Sequence, residues 1–75
     1  MTATEFNRLK ENGRISIVSD QGVLIEEKII DKHLIKIYSM TGFFVEVWLG
    51  LKKLKIHKVE ALERGTKWTS YLNNL

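Results

Sequence analysis

The 75-residue chain contains no cysteine and no proline. Without cysteine it has no disulfide framework, no thiolate metal site and no thiol nucleophile, which fits a reducing compartment. Its N-terminal segment lacks the apolar stretch of a signal peptide, and no apolar run approaches the roughly 20 residues that span a bilayer. We therefore expect a cytoplasmic protein that does not insert into membranes.

Residue patterns that carry catalysis or bind cofactors are also missing. The five glycines are scattered singly, at positions 13, 22, 42, 50 and 65, so no phosphate-binding loop is formed. His33 and His57 belong to no catalytic or metal-binding motif. The paired acids Glu26 and Glu27 point to opposite faces of a strand unless a bulge intervenes. The sequence therefore predicts no enzyme, no cofactor, no metal site and no small-molecule substrate.

Hydrophobic periodicity predicts one small α+β domain. A capping box of Thr2 and Glu5 begins an N-terminal helix, which Gly13 ends. Thr66 begins a C-terminal helix whose apolar face holds Trp68, Tyr71, Leu72 and Leu75. Between the helices we predict a bent, five-stranded antiparallel meander. Its strands are Arg14–Ser19, Val23–Ile30 with a bulge or bend near Glu26 and Glu27, Leu34–Ser39, Phe43–Leu49 and a fifth strand within 54–61.

The segment from residue 51 to residue 64 is compatible with two structures. As a helix it has a broad apolar stripe with basic residues opposite. As a strand, Leu54 and Ile56 alternate with Lys55 and His57, and a bulge near Lys58 returns the later apolar residues to the core. We favour the strand because isoleucine and valine prefer strands and because Gly50 suits a hairpin connection.

The C-terminal half carries a resemblance to known proteins. It has FFVEVW at 43–48, an alternating strand that ends in VEAL at 59–62, and W-x-x-Y-L at 68–72. In this order of elements the last 35 or so residues resemble short bacterial α+β proteins of uncharacterised function. The resemblance implies a hairpin followed by a closing helix, and it assigns no functional residue.

The strand at 43–49 has two faces of different composition. Phe43, Val45 and Val47 form an apolar face, which we expect to be the core beneath the C-terminal helix. Phe44 and Trp48 flank Glu46 on the other face, where Lys55 and His57, with Lys36 and Tyr38, are expected to join them. This second face is either a stacking platform for nucleic-acid bases or is covered by Phe6 and Leu9 of the N-terminal helix.

Glu46 itself has two interpretations. We expect it to pair across the sheet with a lysine, Lys36 or Lys55. The alternative is a buried acid with a shifted pKa.

Basic residues are concentrated beside this strand. Lys52, Lys53, Lys55 and Lys58 have no acid among them, while the whole chain has a net charge of +3. Such a cluster is either a solvated edge that discourages aggregation or a surface that attracts phosphates or an acidic partner.

These features predict a non-catalytic interaction domain that binds a protein partner or its own copy. Self-association would use an incompletely covered sheet or a free edge strand. The alternative is weak, largely sequence-independent nucleic-acid binding through the lysines with aromatic support. The candidate binding surface consists of Phe44, Trp48, Lys52, Lys53, Lys55, His57 and Lys58.

Overall fold

The computed structural model describes residues 1–63, and in this range the chain folds into two helices and one antiparallel sheet. The helices are α1 (Ala3–Asn7) and α2 (Glu11–Gln21). The strands are β1 (Val23–Ile30), β2 (His33–Ser39), β3 (Phe43–Gly50) and β4 (Ile56–Glu63), in the spatial order β1-β2-β3-β4. The predicted α+β class and meander order are therefore confirmed. The described part has four strands, not five, and the predicted helix from Thr66 lies outside it.

The first helix begins as predicted and ends earlier. Thr2 Oγ1 accepts from the Glu5 N–H, and Glu5 Oε1 accepts from the Thr2 N–H, which completes the capping box. The helix ends at Asn7 rather than at Gly13, which lies inside α2. The predicted role of Gly13 as a left-handed stop is therefore wrong.

The segment predicted as the first strand is helical. Arg14–Ser19 lies within α2. The alternation of Ile15 and Ile17 indicated a strand, but Ile15 and Val18 are also spaced by about one helical turn, so the same residues fit a helix. Val18 is buried, and Ile15 and Ile17 pack at the margin of the core. The helix ends at Gly22, where an added Cβ would lie 2.7 Å from the Val18 carbonyl oxygen. A side chain has no room there, which explains the glycine.

Local backbone geometry explains the first two hairpins. Asp31 and Lys32, between β1 and β2, both have positive φ angles, of 48° and 65°, which give the chain a tight turn matching the twist of paired strands. Gly42 has a φ of 93° before β3. A register shift between Leu24 and Glu26 confirms the bulge predicted in β1.

The strand interpretation of the ambiguous segment is confirmed for Ile56–Glu63, which forms β4. Residues 51–53 form a turn, and Leu54 takes a left-handed conformation with a φ of 52°. A second register shift occurs where Trp48 and Leu49 meet Lys58 and Ile56, so that His57 is the extra residue.

Both N-terminal helices pack on one face of the sheet. Phe6 of α1 is fully buried and its ring centroid lies 5.7 Å from that of Phe43. Val45 and Val47 belong to the same core cluster, so the predicted apolar face is correct. In the described residues α1 and α2 cover this face, and Phe6 contacts Phe43 rather than Phe44. The predicted cover by a C-terminal helix lies outside the described residues. Neither helix in residues 1–63 is long and apolar enough to cross a membrane.

Candidate functional site

The two aromatic residues of the candidate surface have different environments. Only 1% of the surface of Phe44 is exposed to solvent, so the residue belongs to the interior and its ring is not available to a ligand. Trp48 is half-buried, and Lys58 Nζ lies 5.0 Å from the centre of its ring in a cation–π contact. The predicted pair of exposed aromatic rings is therefore corrected to one ring, which Lys58 partly covers.

The residues expected to join this face from β2 are on the other side. Lys36 lies opposite Val47 and Tyr38 lies opposite Val45, so both point to the helix-covered face. Side chains directly opposite each other in an antiparallel pair share a face. The β2 residue opposite Trp48 is Ile35, whereas the sequence pattern predicted Lys36 on this face.

Glu46 is buried, with 3% of its exposure remaining. Its neighbours across the sheet are Ile37 and Glu60, so the predicted pairing with Lys36 is wrong because Lys36 lies on the opposite face. Trp48 Nε1 donates a hydrogen bond of 3.4 Å to Glu46 Oε1. Glu46 therefore helps to fix the indole of Trp48, and it is part of the interior.

Three of the predicted lysines lie in the connection between β3 and β4. Lys52, Lys53 and Lys55 are exposed there. The backbone of this connection is held by hydrogen bonds from the Leu54 N–H to the Gly50 carbonyl (2.7 Å) and from the Gly50 N–H to the Lys55 carbonyl (3.0 Å). The three side chains therefore project from an ordered turn.

His57 meets His33 at the end of the sheet beside this connection. His33 Nε2 and His57 Nδ1 are 3.1 Å apart, and His33 Nδ1 lies 3.1 Å from the Asp31 carbonyl oxygen. A carbonyl oxygen accepts hydrogen bonds and does not donate them, so in this contact His33 Nδ1 carries the proton. In the neutral His33 ring Nε2 is then the acceptor, and it accepts from the Nδ1–H of His57. The edge of the His33 ring also packs on Trp48. The sequence did not reveal this pairing, which the hairpin register creates.

An open groove of about 600 Å³ lies next to the two histidines and is lined in part by Lys32 and Lys52. Within residues 1–63, no group of three or more histidine, aspartate or glutamate side chains converges to hold a metal ion. Lys32 and Lys52 outnumber Asp31 among the charged residues of its lining, so the groove suits an anionic group better than a cation.

The two edges of the sheet differ in how their backbone groups are used. On β4, Asn7 Oδ1 accepts from the Ala61 N–H (2.8 Å) and Asn7 Nδ2 donates to the Ala61 carbonyl (3.0 Å). Arg14 Nη1 donates to the Val59 carbonyl (2.6 Å). The amide of Asn7 thus takes the place of a neighbouring strand, so the middle of the β4 edge is closed to another chain.

The opposite edge, β1, has no such cover among the described hydrogen bonds. It is eight residues long and carries exposed apolar side chains near both ends: Val23 (63%), Leu24 (43%), Ile29 (65%) and Ile30 (41%). Alternate residues of an edge strand point their N–H and C=O groups outward. This edge therefore offers both main-chain hydrogen bonds and apolar contacts to another strand.

Sequence reasoning did not identify Asn7, Arg14 or the edge position of β1 as functional features. The apolar residues of β1 were visible, but the sequence does not state which strands lie at the edges. Compared with models of protein families, with curated proteins and with solved structures, the chain matches none.

Proposed function

We propose that this protein is a non-catalytic interaction domain that binds an extended protein segment, from a partner or from its own copy, along the β1 edge. The difference between the two edges carries the proposal. Asn7 and Arg14 close the β4 edge, whereas β1 presents unshielded apolar side chains. In strand addition, main-chain hydrogen bonds provide affinity and side-chain contacts provide specificity.

Natural proteins shield free edges because an apolar edge strand recruits other chains. Within residues 1–63 such shielding is found on β4 and not on β1. Glu26, Glu27 and Lys28 interrupt the apolar pattern of β1 at its centre, so pairing there requires a strand with suitable charges. A partner is therefore selected by charge at the centre and by apolar contacts at the ends.

An NMR titration tests this proposal without knowledge of the natural partner. The probe is a ten-residue peptide of alternating threonine and valine with a glutamate and a lysine two residues apart at its centre, added to the uniformly ¹⁵N-labelled chain. The proposal predicts amide shifts concentrated in Val23–Ile30, with little change in Ile56–Glu63. Shifts of similar size on both edges, or none at millimolar peptide, would contradict strand addition at β1.

A matched pair of variants checks that the effect belongs to the edge. Ile29 and Leu54 are both exposed, but only Ile29 lies in β1. Ile29→Lys places a charge on the edge and should abolish the peptide-induced shifts. Leu54→Lys adds the same charge to the β3–β4 connection and should leave the shifts unchanged.

A second candidate function is weak binding of single-stranded nucleic acid. The observation in its favour is the ordered turn with exposed Lys52, Lys53 and Lys55 beside the basic groove at His57. Lysines of this kind attract phosphates, whereas the burial of Phe44 leaves Trp48 as the one aromatic ring of the candidate surface that remains for stacking. Binding driven by phosphates weakens steeply as salt is added, and strand addition does not.

A further inference from the structure

We infer that the segment bound at β1 is β1 of a second copy, so that two chains form one continuous sheet across a twofold axis. This inference deepens the proposed function and rests on it. The closed β4 edge supports a dimer rather than a fibre, because within residues 1–63 each copy then has one uncovered edge. Contacts between the same surface on two copies close after two subunits.

The sequence of β1 is suited to pairing with itself. It reads VLIEEKII, with three charged residues between two apolar ends. In an antiparallel pair of identical strands, the apolar start of one lies beside the apolar end of the other. The exposed Val23 and Leu24 of one copy then approach the exposed Ile29 and Ile30 of its partner. Four apolar side chains on each copy leave water in this arrangement.

The charges select one register. A twofold axis perpendicular to the sheet and passing beside Glu27 places Glu26 of each copy opposite Lys28 of the other, which makes two opposite-charge pairs. Shifting the axis to Lys28 places two lysines opposite each other and Glu26 opposite Ile30. Shifting it to Glu26 places two acids together and, because of the bulge at Ile25, Val23 opposite Lys28. Of these three registers, the one centred on Glu27 matches charge with charge and apolar with apolar.

Two observations fit this register. Glu27, which meets its own copy at the axis, lies opposite Lys36 of β2 in each chain. That lysine offsets the repulsion between the two acids. The bulge at Ile25 leaves Glu26–Ile30 as the regular part of the strand, and this part includes the axis.

Sedimentation equilibrium of a charge-reversal series tests the inference on the full chain. We expect a monomer–dimer equilibrium for the wild type. Glu26→Lys and Lys28→Glu each replace two attractive pairs with two repulsive ones, and each should weaken dimerisation about tenfold. The double variant Glu26→Lys/Lys28→Glu exchanges the charges and should restore the wild-type dissociation constant.

Circular dichroism of each variant establishes that the sheet is intact. A second test uses Ile29→Lys, because Ile29 is exposed and its replacement leaves the core unchanged. Ile29→Lys should shift the equilibrium to the monomer.

A wild type that is monomeric at millimolar concentration overturns the inference. If the threonine–valine peptide still binds β1, the proposed function stands and the partner is another protein. A dimer that the single reversals leave unchanged, or that the double variant fails to restore, also overturns the inference.

Discussion

At the scale of single residues, Arg14 connects α1 to the sheet. Its Nε donates to the Leu9 carbonyl (2.8 Å), its Nη1 donates to the Val59 carbonyl (2.6 Å), and its Nη2 donates to the Asn7 carbonyl. Two of these carbonyls lie at or just after the end of α1, where a helix leaves acceptors unsatisfied. The Arg14 side chain therefore supplies donors to the free carbonyls at the end of α1 and holds this end of the helix against β4.

Replacing Arg14 by methionine should destabilise the fold by about 2–3 kcal/mol, because three partly buried carbonyls lose a charged donor. Arg8→Met is the matched control, since Arg8 is exposed. Urea unfolding followed by circular dichroism measures both. Equal midpoints for the two variants would show that the Arg14 contacts do not stabilise the protein.

Glu5 carries a pH dependence that belongs to the capping box. The hydrogen bond from the Thr2 backbone N–H, followed by that from its side chain, holds the pKa of Glu5 below its ordinary value of 4.5. Since the pKa is lowered by folding, the stabilisation is fully present above pH 4.5 and is lost as the pH falls through the lowered, folded-state pKa.

Thr2→Ala should raise the pKa of Glu5 toward its ordinary value, because the threonine hydroxyl no longer holds the reciprocal cap in place. A ¹³C NMR titration of the Glu5 carboxyl measures the change. The same pKa in both proteins would mean that the capping box does not determine the charge state of Glu5.

At the scale of elements, Asn7 closes the middle of the β4 edge through two hydrogen bonds to Ala61. Asn7→Ala removes both hydrogen bonds to Ala61, so the Ala61 amide should exchange with solvent at least about tenfold faster. Asn12→Ala is the control, since Asn12 is exposed on α2. Hydrogen exchange followed by NMR gives the rate at this amide. An unchanged rate in Asn7→Ala would indicate that another group protects the edge.

The success of sequence reasoning also differed between elements. The capping box, the β1 bulge and the strands from Val23 onward follow from local patterns, and they were predicted. Arg14–Ser19 was predicted as a strand because Ile15 and Ile17 alternate, but so short an apolar pattern also fits a helix. The segment is helical and holds a contact with β4 that lies 45 residues away in the sequence. The pairing of His33 with His57 and the closing of β4 by Asn7 are long-range contacts too, so no local pattern indicates them.

Within the candidate surface, exposure could not be read from strand alternation. Phe44 and Trp48 share a face, yet Phe44 is buried and Trp48 is half-buried. The lysines from Lys52 to Lys55 were correctly expected outside the core, because their turn follows the end of β3. Alternation assigns a side chain to a face, whereas exposure depends on what covers that face.

At the scale of the whole molecule, the two candidate functions occupy different places. Strand addition uses β1, and phosphate binding uses the connection between β3 and β4. A single-stranded oligonucleotide of mixed sequence, titrated into the labelled chain at low salt, should shift only amides near Lys52–Lys58, and these shifts should vanish at moderate salt. Shifts that extend from these amides across Trp48 at low salt and fade as salt is added would favour the nucleic-acid function over strand addition.

The most direct test of the account is the concentration dependence of the amide spectrum of the unmodified chain, recorded from micromolar to millimolar protein. Because residues 1–63 cover the β4 edge and leave the β1 edge uncovered, we predict that Val23–Ile30 shift and broaden as the concentration rises while Ile56–Glu63 remain unchanged, at both low and moderate salt. Concentration-dependent changes centred on Ile56–Glu63 or on the lysine-bearing turn, with none in Val23–Ile30, would contradict the assignment of β1 as the binding edge.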